Sequence, residues 1–343
     1  MTGQGRGFEN ERFRIFPMQG VSGSAMTSVL ILLTLPEPVR MQYFDHIRKT
    51  FPEVKLDMVD HHSKVDPYIG TADVLITFGA HMADHVLEKG KQLKWIQALG
   101  TGVDGIVDRP AFREGVLVTS MHGLHGDSVP EAALMLMLAL ARNLPRALRS
   151  QGARKWDRYP SRLLKGKAVG ILGVGAIAKS LAPKCKSLGM TVVGISSAPR
   201  EMEGFDRMVR REELERTVPG LDFLVLLTPY TPESHGIVNA KVLAAMKPSA
   251  FLVNLARGGI VDEAALAGAL RERKIAGAAL DVFATEPLPA EHPFWNMDNM
   301  IVTPHLGGFH DQYAEQALPT IEQNLRKFLA GDLKNMINVV KRQ

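Results

Sequence analysis

Three ionisable side chains follow apolar, strand-like runs in the second half of the chain, and each stands in a loop marked by glycine or proline. Arg257 lies in the segment NLARGG, Glu286 in DVFATEP and His305 in TPHLGG. In α/β proteins, loops at the carboxyl ends of strands carry much of the chemistry. The sequence therefore predicts that a guanidinium, a carboxylate and an imidazole act together in one site.

These residue types suit a carbonyl group that lies next to a carboxylate. The planar guanidinium of Arg257 presents donors in a fixed fork, which matches two neighbouring oxygens. A carboxylate that is hydrogen-bonded to an imidazole raises the imidazole pKa and keeps a proton available near neutrality. We therefore expect His305 to be a general acid that Glu286 supports. The structural alternatives are an arginine paired with an acid, a turn glutamate and a satisfied core histidine.

A dinucleotide fingerprint, Gly-x-Gly-x-x-Ala, follows the strand-like run 168–172. Gly173 permits a tight turn, Gly175 lets the backbone approach a pyrophosphate, and Ala178 allows close packing of helix on strand. The N terminus of the helix that follows would attract negative charge. The residues expected at the cofactor are Gly173, Gly175, Ala176 and Ile177. The alternative is a glycine-rich turn that binds nothing.

The end of the next strand-like run favours NADP(H) over NAD(H). Enzymes that use NAD place an acid there, on the ribose 2′-hydroxyl. This chain instead continues as SSAPR, so the hydroxyls of Ser196 and Ser197 and the guanidinium of Arg200 could hold a 2′-phosphate. NAD(H) stays possible, because Arg200 could equally be a solvated loop charge.

Two series of apolar runs with helical stretches between them predict two parallel, doubly wound sheets and an α/β fold. The first series comprises 29–33, 54–59, 74–77 and 95–99. The second series, which predicts six strands, comprises 168–172, 191–195, 223–227, 251–254, 278–282 and 300–302.

Two further helices bear on the domain organisation. The segment SVPE at 128–131 has the pattern of a capping box and begins a run that is apolar on nearly all faces, which favours a position between domains or subunits. The last helix, about 311–330, could fold back onto the first sheet. The expected domains are 28–125 plus 309–343 for substrate, 126–308 for the dinucleotide, and 1–27 as a flexible N-terminal extension.

Composition limits the classes of function. The 343 residues are 45% hydrophobic and 22% charged, which is typical of a soluble two-domain protein. We expect no membrane span, because the longest apolar run is too short. The net charge of +5 comes without a Lys/Arg run, which favours a small anionic substrate over nucleic acid. A single cysteine, Cys185, favours a reducing, cytoplasmic location, and the histidine spacings indicate no metal site.

The motifs resemble those of the D-isomer-specific 2-hydroxyacid dehydrogenases, and within them the glyoxylate/hydroxypyruvate reductases. The resemblance covers about 29–339 and lies in LGVGAIA, LTPYTPES, NLARGG, LDVFATEP and TPHLGG. It implies a flavodoxin-like substrate domain beside a Rossmann-like dinucleotide domain, a homodimer, and reduction of a small 2-keto acid to the D-2-hydroxy acid. Ser196 departs from the family's common acid, which affects the choice of cofactor.

The same resemblance implies roles for residues outside the three catalytic loops. Asp281 would hold the nicotinamide carboxamide, and the backbone turns at Gly79 and Gly102 would cradle the substrate carboxylate. The residues that would line the cofactor site are Thr228, Pro229 and Ala256.

Three other readings stay open. The chain could be an NAD-dependent D-2-hydroxyacid dehydrogenase of another specificity. It could also be a corepressor-like protein that senses nicotinamide, since such proteins can retain all three catalytic residues. Formate dehydrogenases resemble the family too, but they pair the histidine with glutamine, so Glu286 argues against that activity.

Overall fold

A computed structural model of the protein describes residues 26–340. Most of the expected N-terminal extension, residues 1–25, therefore lies outside the described residues. The strands of the first sheet are β1 (Ser28–Leu32), β2 (Lys55–Val59), β3 (Val74–Thr77), β4 (Trp95–Ala98) and β5 (Leu117–Thr119). The strands of the second sheet are β6 (Ala168–Leu172), β7 (Thr191–Ser196), β8 (Arg207–Arg210), β9 (Phe223–Leu226), β10 (Phe251–Asn254), β11 (Gly277–Leu280) and β12 (Met300–Val302).

Ten α-helices connect these strands within the described residues. They are α1 (Glu37–Thr50), α2 (Asp66–Ile69), α3 (Asp84–Lys89), α4 (Ser128–Ala141), α5 (Leu144–Gly152), α6 (Ala176–Ser187), α7 (Leu214–Thr217), α8 (Ala240–Ala245), α9 (Glu263–Arg271) and α10 (Tyr313–Leu329). None of the helices in 26–340 is long and apolar enough to cross a membrane.

Both sheets are parallel and doubly wound, which confirms the predicted fold class. The first sheet has the order β2-β1-β3-β4-β5, the flavodoxin-like arrangement. The second has the order β12-β11-β10-β9-β6-β7-β8, which is the Rossmann order with one more strand at the β12 edge. Its strand order reverses between β6 and β9, so a ligand site is expected at the carboxyl ends of these two strands.

Burial on both faces explains why the strands read as continuous apolar runs. On β3, Val74 and Ile76 pack into a cluster with residues of α1 and α10, while Leu75 packs into a second cluster on the opposite face. Helices cover both faces of a parallel sheet, so successive side chains must all be apolar.

The C-terminal helix returns to the first sheet. Tyr313, Ile321 and Leu325 of α10 lie in the same core cluster as β1 and α1. Beyond α10, the N–H of Val340 donates to the carbonyl of Val118 at 2.9 Å, next to an antiparallel bridge between Thr119 and Val339. The chain therefore ends its described part against β5, at the edge of the sheet on which it began.

The sequence analysis missed two strands, and the second sheet has seven strands rather than the six predicted. The edge strand β8 has the sequence RMVR, in which only Val209 is buried, so no apolar run marks it. The edge strand β5 has only three residues. Edge strands lack covering neighbours on one side, and their sequences are correspondingly less apolar.

The predicted capping box at the start of α4 does not form. Asp127 already has right-handed helical backbone angles and is the N-cap, so Ser128 lies inside the helix. The Ser128 hydroxyl is buried and has no hydrogen-bond partner among the described residues. A short 3₁₀ turn, Leu124–Gly126, leads into α4, and Asp127 between them takes the N-cap position one residue ahead of the serine.

Candidate active site

Loops after β10, β11 and β12 carry the three candidate catalytic residues. These strands are neighbours in the second sheet and run parallel, so their carboxyl ends meet at one edge. Nδ1 of His305 lies 2.8 Å from Oε2 of Glu286. The guanidinium of Arg257 lies near enough for its charge to act on Glu286. The structure thus joins the histidine and the carboxylate directly and places the arginine beside them.

Glu286 is held by the backbone of its own loop as well as by His305. Its Oε1 accepts the N–H of Phe283 at 2.9 Å. Burial of the side chain opposes ionisation, but the hydrogen bond and charge of His305, the Phe283 amide and the charge of Arg257 outweigh it. The net result is a pKa of Glu286 below its usual value, so the carboxylate stays charged beside the imidazole.

His305 adopts a left-handed backbone conformation, with φ of 55°. This region is uncommon for a residue with a side chain and persists where its surroundings impose it. Asp281 does so: its carbonyl accepts the His305 N–H at 2.8 Å, and its carboxylate accepts the Leu306 and Gly307 N–H groups at 2.9 and 2.7 Å. The Thr303 hydroxyl donates to the same carboxylate at 2.6 Å. Asp281 therefore shapes the histidine loop.

That contribution of Asp281 was missed by the sequence analysis. Only 3% of the residue is exposed, and both carboxylate oxygens are bonded to the histidine loop. Its expected contact with a nicotinamide carboxamide stays a prediction. The segment around it, GAALDVFATEP, carries no signal of this contact with the histidine loop.

A buried asparagine positions the arginine loop. Oδ1 of Asn254 accepts the N–H of Ala256 at 3.0 Å, and its Nδ2 donates to the carbonyl of Arg257 at 2.9 Å. Next in the loop, a Cβ atom on Gly258 would overlap the backbone of Phe283. Only glycine lets the arginine loop pack on the loop that carries Glu286.

The first sheet contributes the loops of Gly79 and Gly102. A Cβ atom on Gly102 would overlap Nη2 of Arg257, and one on Gly79 would overlap the carbonyl oxygen of Asp104. Arg257 itself donates to the Asp104 carboxylate. The structure thus places both expected substrate loops around one ion pair; their binding of a substrate carboxylate stays a prediction.

His125 is a further residue at the site that the sequence analysis did not single out. Its Nδ1 is hydrogen-bonded to Oγ1 of Thr101, and its ring stacks on Tyr313 with 5.6 Å between centroids. Burial, reinforced by the positive charges of His310, Arg257 and His305, lowers the pKa of His125 to about 4. The ring is therefore neutral at physiological pH, and its hydrogen bond to Thr101 and its stacking on Tyr313 connect the Thr101 loop to α10.

The dinucleotide fingerprint has the geometry that a pyrophosphate needs. Gly173 has φ of 98°, and a Cβ atom there would overlap the backbone of Thr228. Thr228 is the second residue of the LTPYTPES motif, which begins directly after β9. Around Gly175 no described atom lies within 4 Å of where a Cβ would stand. No side chain of the described residues caps α6, so the N–H groups of its first turn, beginning at Ala176 and Ile177, are available to an anion.

The other expected cofactor residues lie along the same edge. In the loop after β9, Thr228 is buried and Pro229 is exposed, and in the loop after β10, Ala256 is 6% exposed. Strand β7 ends at Ser196, while Ser197 and Arg200 are exposed beyond it. These positions surround the carboxyl ends of β6 and β9, where the strand order predicts a ligand.

The missed strand β8 adds a second guanidinium to this edge. Arg210 is the register partner of Ser196 at the carboxyl ends of β7 and β8. An exposed arginine therefore stands beside Ser196 at this edge of the sheet. The sequence analysis could not include it because β8 was not predicted.

Comparisons with known proteins agree with this arrangement. The family profile described as "D-isomer specific 2-hydroxyacid dehydrogenase, NAD binding domain" matches residues 134–307. The chain is 36% identical over 276 residues to D-3-phosphoglycerate dehydrogenase of Methanocaldococcus jannaschii, covering 79% of this chain and 52% of that protein. It spans about half the length of the phosphoglycerate dehydrogenases it matches.

Two solved structures show the same fold over nearly their whole length. A D-isomer-specific 2-hydroxyacid dehydrogenase family protein from Aeromonas salmonicida is 30% identical, with a TM-score of 0.81 and coverage of 92% of this chain and 99% of that one. A D-isomer-specific 2-hydroxyacid dehydrogenase from Xanthobacter autotrophicus, in complex with NADPH and MES, is 29% identical, with a TM-score of 0.76 and coverage of 92% and 98%.

Proposed function

Because this chain belongs to the D-isomer-specific 2-hydroxyacid dehydrogenases, we propose that it uses NADPH to reduce a small 2-keto acid of the glyoxylate or hydroxypyruvate type to the D-2-hydroxy acid. The observation that carries the proposal is the bond of 2.8 Å between His305 and Glu286 beside the loop of Arg257. An imidazole held by a carboxylate next to a guanidinium provides a proton donor and an anion site together.

Each residue has a distinct task in the proposed reaction. Nδ1 of His305 is engaged by Glu286, which leaves Nε2 to deliver the proton to the substrate's carbonyl oxygen. Arg257 binds the substrate carboxylate and stabilises the negative charge that develops on the carbonyl oxygen. When bound, NADPH supplies the hydride that the carbonyl carbon receives. Asp281 keeps His305 in place through the loop bonds described above.

NADPH is favoured by the residues at the carboxyl end of β7. The segment 196–200 contains no acid that would repel a 2′-phosphate, and Ser196, Ser197 and Arg200 offer donors to one. Arg210 lies beside Ser196 in the sheet register. The similar structure from Xanthobacter autotrophicus is a complex with NADPH, which supports this choice of cofactor.

Replacing Arg200 with alanine is expected to raise the KM for NADPH and to leave the KM for NADH nearly unchanged. A hydrogen bond to a charged group contributes about 1.5–3 kcal/mol, so the increase should be about tenfold or more. Steady-state kinetics with both cofactors measure it. Arg207→Ala, at the other end of β8, is the control. Equal effects of Arg200→Ala on both cofactors would argue against a 2′-phosphate contact.

A panel of 2-keto acids, assayed by oxidation of NADPH and of NADH, tests the function itself. We expect turnover with glyoxylate and hydroxypyruvate and a lower kcat/KM with larger keto acids. The similarity to phosphoglycerate dehydrogenases favours 3-phosphohydroxypyruvate as the second candidate, so it belongs in the panel. Absence of turnover with every compound would favour a protein that senses nicotinamide without catalysis.

We also propose the domain division of the sequence analysis, with 28–125 plus 309–343 forming the substrate domain and 126–308 the dinucleotide domain. Its support is the packing of α10 into the core of the first sheet. The two connections between the sheets would then lie near Gly123 and near Gly308, and Gly308 packs so close to the ring of His125 that a Cβ atom there would overlap it.

A homodimer through α4 and α5 is proposed for the protein in solution. Both helices expose large apolar side chains, Met135 and Leu138 on α4 and Leu144 and Leu148 on α5, and the exposed Trp156 follows α5. Exposed large apolar side chains that cluster on neighbouring helices commonly mark a protein interface. The opposite side of α4 is already buried against β10, β11 and α6, so the exposed side is the one available to a second copy.

Replacing Leu148 with glutamate should convert this dimer to a monomer, because it places a charge in the apolar contact. Light scattering after size-exclusion chromatography gives the mass directly. Leu188→Glu, which changes a leucine at the end of α6 that is 37% exposed, should leave the mass unchanged. If the Leu148→Glu variant is still a dimer, the interface does not lie on this face of α4 and α5.

A further inference from the structure

The proposed substrate arginine is bonded to a carboxylate from the other sheet. Nε of Arg257 donates to Oδ2 of Asp104 at 2.8 Å, and Nη2 lies 2.7 Å from the same oxygen as the closest contact of the ion pair. Nη1 donates to the carbonyl of Ala256 at 2.6 Å. Asp104 lies in the loop between β4 and β5, 153 positions from Arg257, so this pair joins the two sheets across the site.

The bonds leave a defined part of the guanidinium for a ligand. A guanidinium has five N–H hydrogens, of which two are on each η nitrogen. Asp104 takes the Nε hydrogen and the Ala256 carbonyl takes one from Nη1, while Nη2 lies against the same carboxylate oxygen. At least one hydrogen therefore remains on each η nitrogen. This pair matches two neighbouring oxygens, as found on the carboxylate and carbonyl of a 2-keto acid.

The backbone fixes where Asp104 stands. Cβ atoms on Gly79 and Gly102 would overlap, respectively, the Asp104 carbonyl and Nη2 of Arg257, so two loops close around the pair without room for side chains. Further along the loop, the N–H of Gly105 donates to Oδ1 of Asp108 at 2.6 Å. Although 44% of its side chain is exposed, Asp104 is held by the loop that carries it.

We propose that Asp104 is a positioning residue: it fixes the Arg257 guanidinium so that one hydrogen on each η nitrogen is kept for the keto acid. The proposal rests on the proposed function of Arg257 as the substrate arginine. Because Asp104 and Arg257 belong to different sheets, the orientation is complete only when the sheets approach each other as they do here. The binding site for the substrate carboxylate is therefore complete only when the two sheets close on each other.

Substrate kinetics of Asp104→Asn and Asp104→Ala test the proposal. Misplacement of a binding group by about 1 Å can cost about a hundredfold, so we expect kcat/KM for the keto acid to fall about tenfold to a hundredfold. The KM for NADPH should stay within about twofold, because Asp104 has no part in the dinucleotide edge. Asp108→Asn is the matched control, since Asp108 supports the same loop without touching Arg257.

A second background separates positioning from a general effect on the loop. In an Arg257→Lys enzyme the fork is gone, so adding Asp104→Ala should change kcat/KM by less than about twofold. An equal loss in both backgrounds would overturn the proposal. So would an Asp108→Asn loss as large as that of Asp104→Asn, or tighter keto-acid binding by Asp104→Ala, which would make Asp104 a competitor for the arginine.

Oxamate, an analogue of a 2-keto acid, distinguishes failure of this inference from failure of the proposed function. If the wild-type enzyme turns over none of the keto acids, the function is wrong, and calorimetry of oxamate with the enzyme and NADPH still decides the inference. The expected result is weaker oxamate binding by Asp104→Ala, by about tenfold or more. Equal affinities of the wild type and Asp104→Ala would overturn it.

Discussion

Replacing His305 with asparagine should lower kcat by about 10² to 10⁴, the range that a positioned general acid contributes. Asparagine cannot deliver a proton, and the other described group bonded to Glu286, the backbone N–H of Phe283, is not an acid that could replace the imidazole. Stopped-flow measurement of NADPH oxidation with a saturating keto acid separates this loss from slow product release. Binding of NADPH should be unaffected, because His305 is not part of the fingerprint.

His46→Asn is the matched control for that variant. His46 forms the same kind of pair, with its Nε2 at 3.1 Å from Oε2 of Glu322, but on helices α1 and α10. Its loss should leave kcat unchanged. Full turnover by His305→Asn would remove His305 as the proton donor. A comparable loss in His46→Asn would show that the assay reports stability rather than chemistry.

Replacing Arg257 with alanine should nearly abolish turnover. Removing one donor aimed at a developing negative charge costs about 2.7–4 kcal/mol, or about 10²- to 10³-fold in kcat. The KM for the keto acid should rise as well, because the carboxylate loses its charged partner. The kcat of Arg257→Lys should lie between those of the wild type and Arg257→Ala, since an ammonium keeps the positive charge but not the two-pronged set of donors.

Asp104 complicates the alanine variant in a measurable way. Without Arg257, its carboxylate stands unpaired at 44% exposure beside the place of an anionic substrate. Arg257→Ala with Asp104→Ala should therefore bind keto acid better than Arg257→Ala alone. Arg48→Ala, which breaks a surface pair with Asp45 on α1, is the control and should keep full activity. An active Arg257→Ala enzyme would contradict the proposed anion site.

Most of the architecture could be predicted from the sequence, because strands of a parallel sheet that is covered on both faces have continuous apolar sequences. The runs around Val74 and Val169 are examples, and both became buried strands. β8 could not be predicted, since an edge strand with two exposed arginines gives no such signal. α4 begins at Ser128 as predicted, but its N-cap was assigned wrongly, because Asp127 rather than the serine takes that position.

The candidate site was predictable only in part, for a related reason. Arg257, Glu286 and His305 stand in punctuated loops after recognisable strands, so neighbouring carboxyl ends bring them together. Contacts that depend on loop conformation left no pattern. Asp281 binds backbone N–H groups of the histidine loop, and Asp104 meets Arg257 from another sheet. Sequence motifs and their spacing therefore could not predict the contacts of Asp281 and Asp104.

A crystal structure of the enzyme with NADP⁺ and oxamate tests the central claim most directly, by the distances from the analogue to Arg257 and His305. We expect the oxamate carboxylate within hydrogen-bond distance of Arg257 and the Gly79 and Gly102 loops. Its carbonyl oxygen should lie between Arg257 and Nε2 of His305, with Nδ1 still on Glu286. Oxamate bound elsewhere, or His305 turned away from its carbonyl oxygen, would contradict the account.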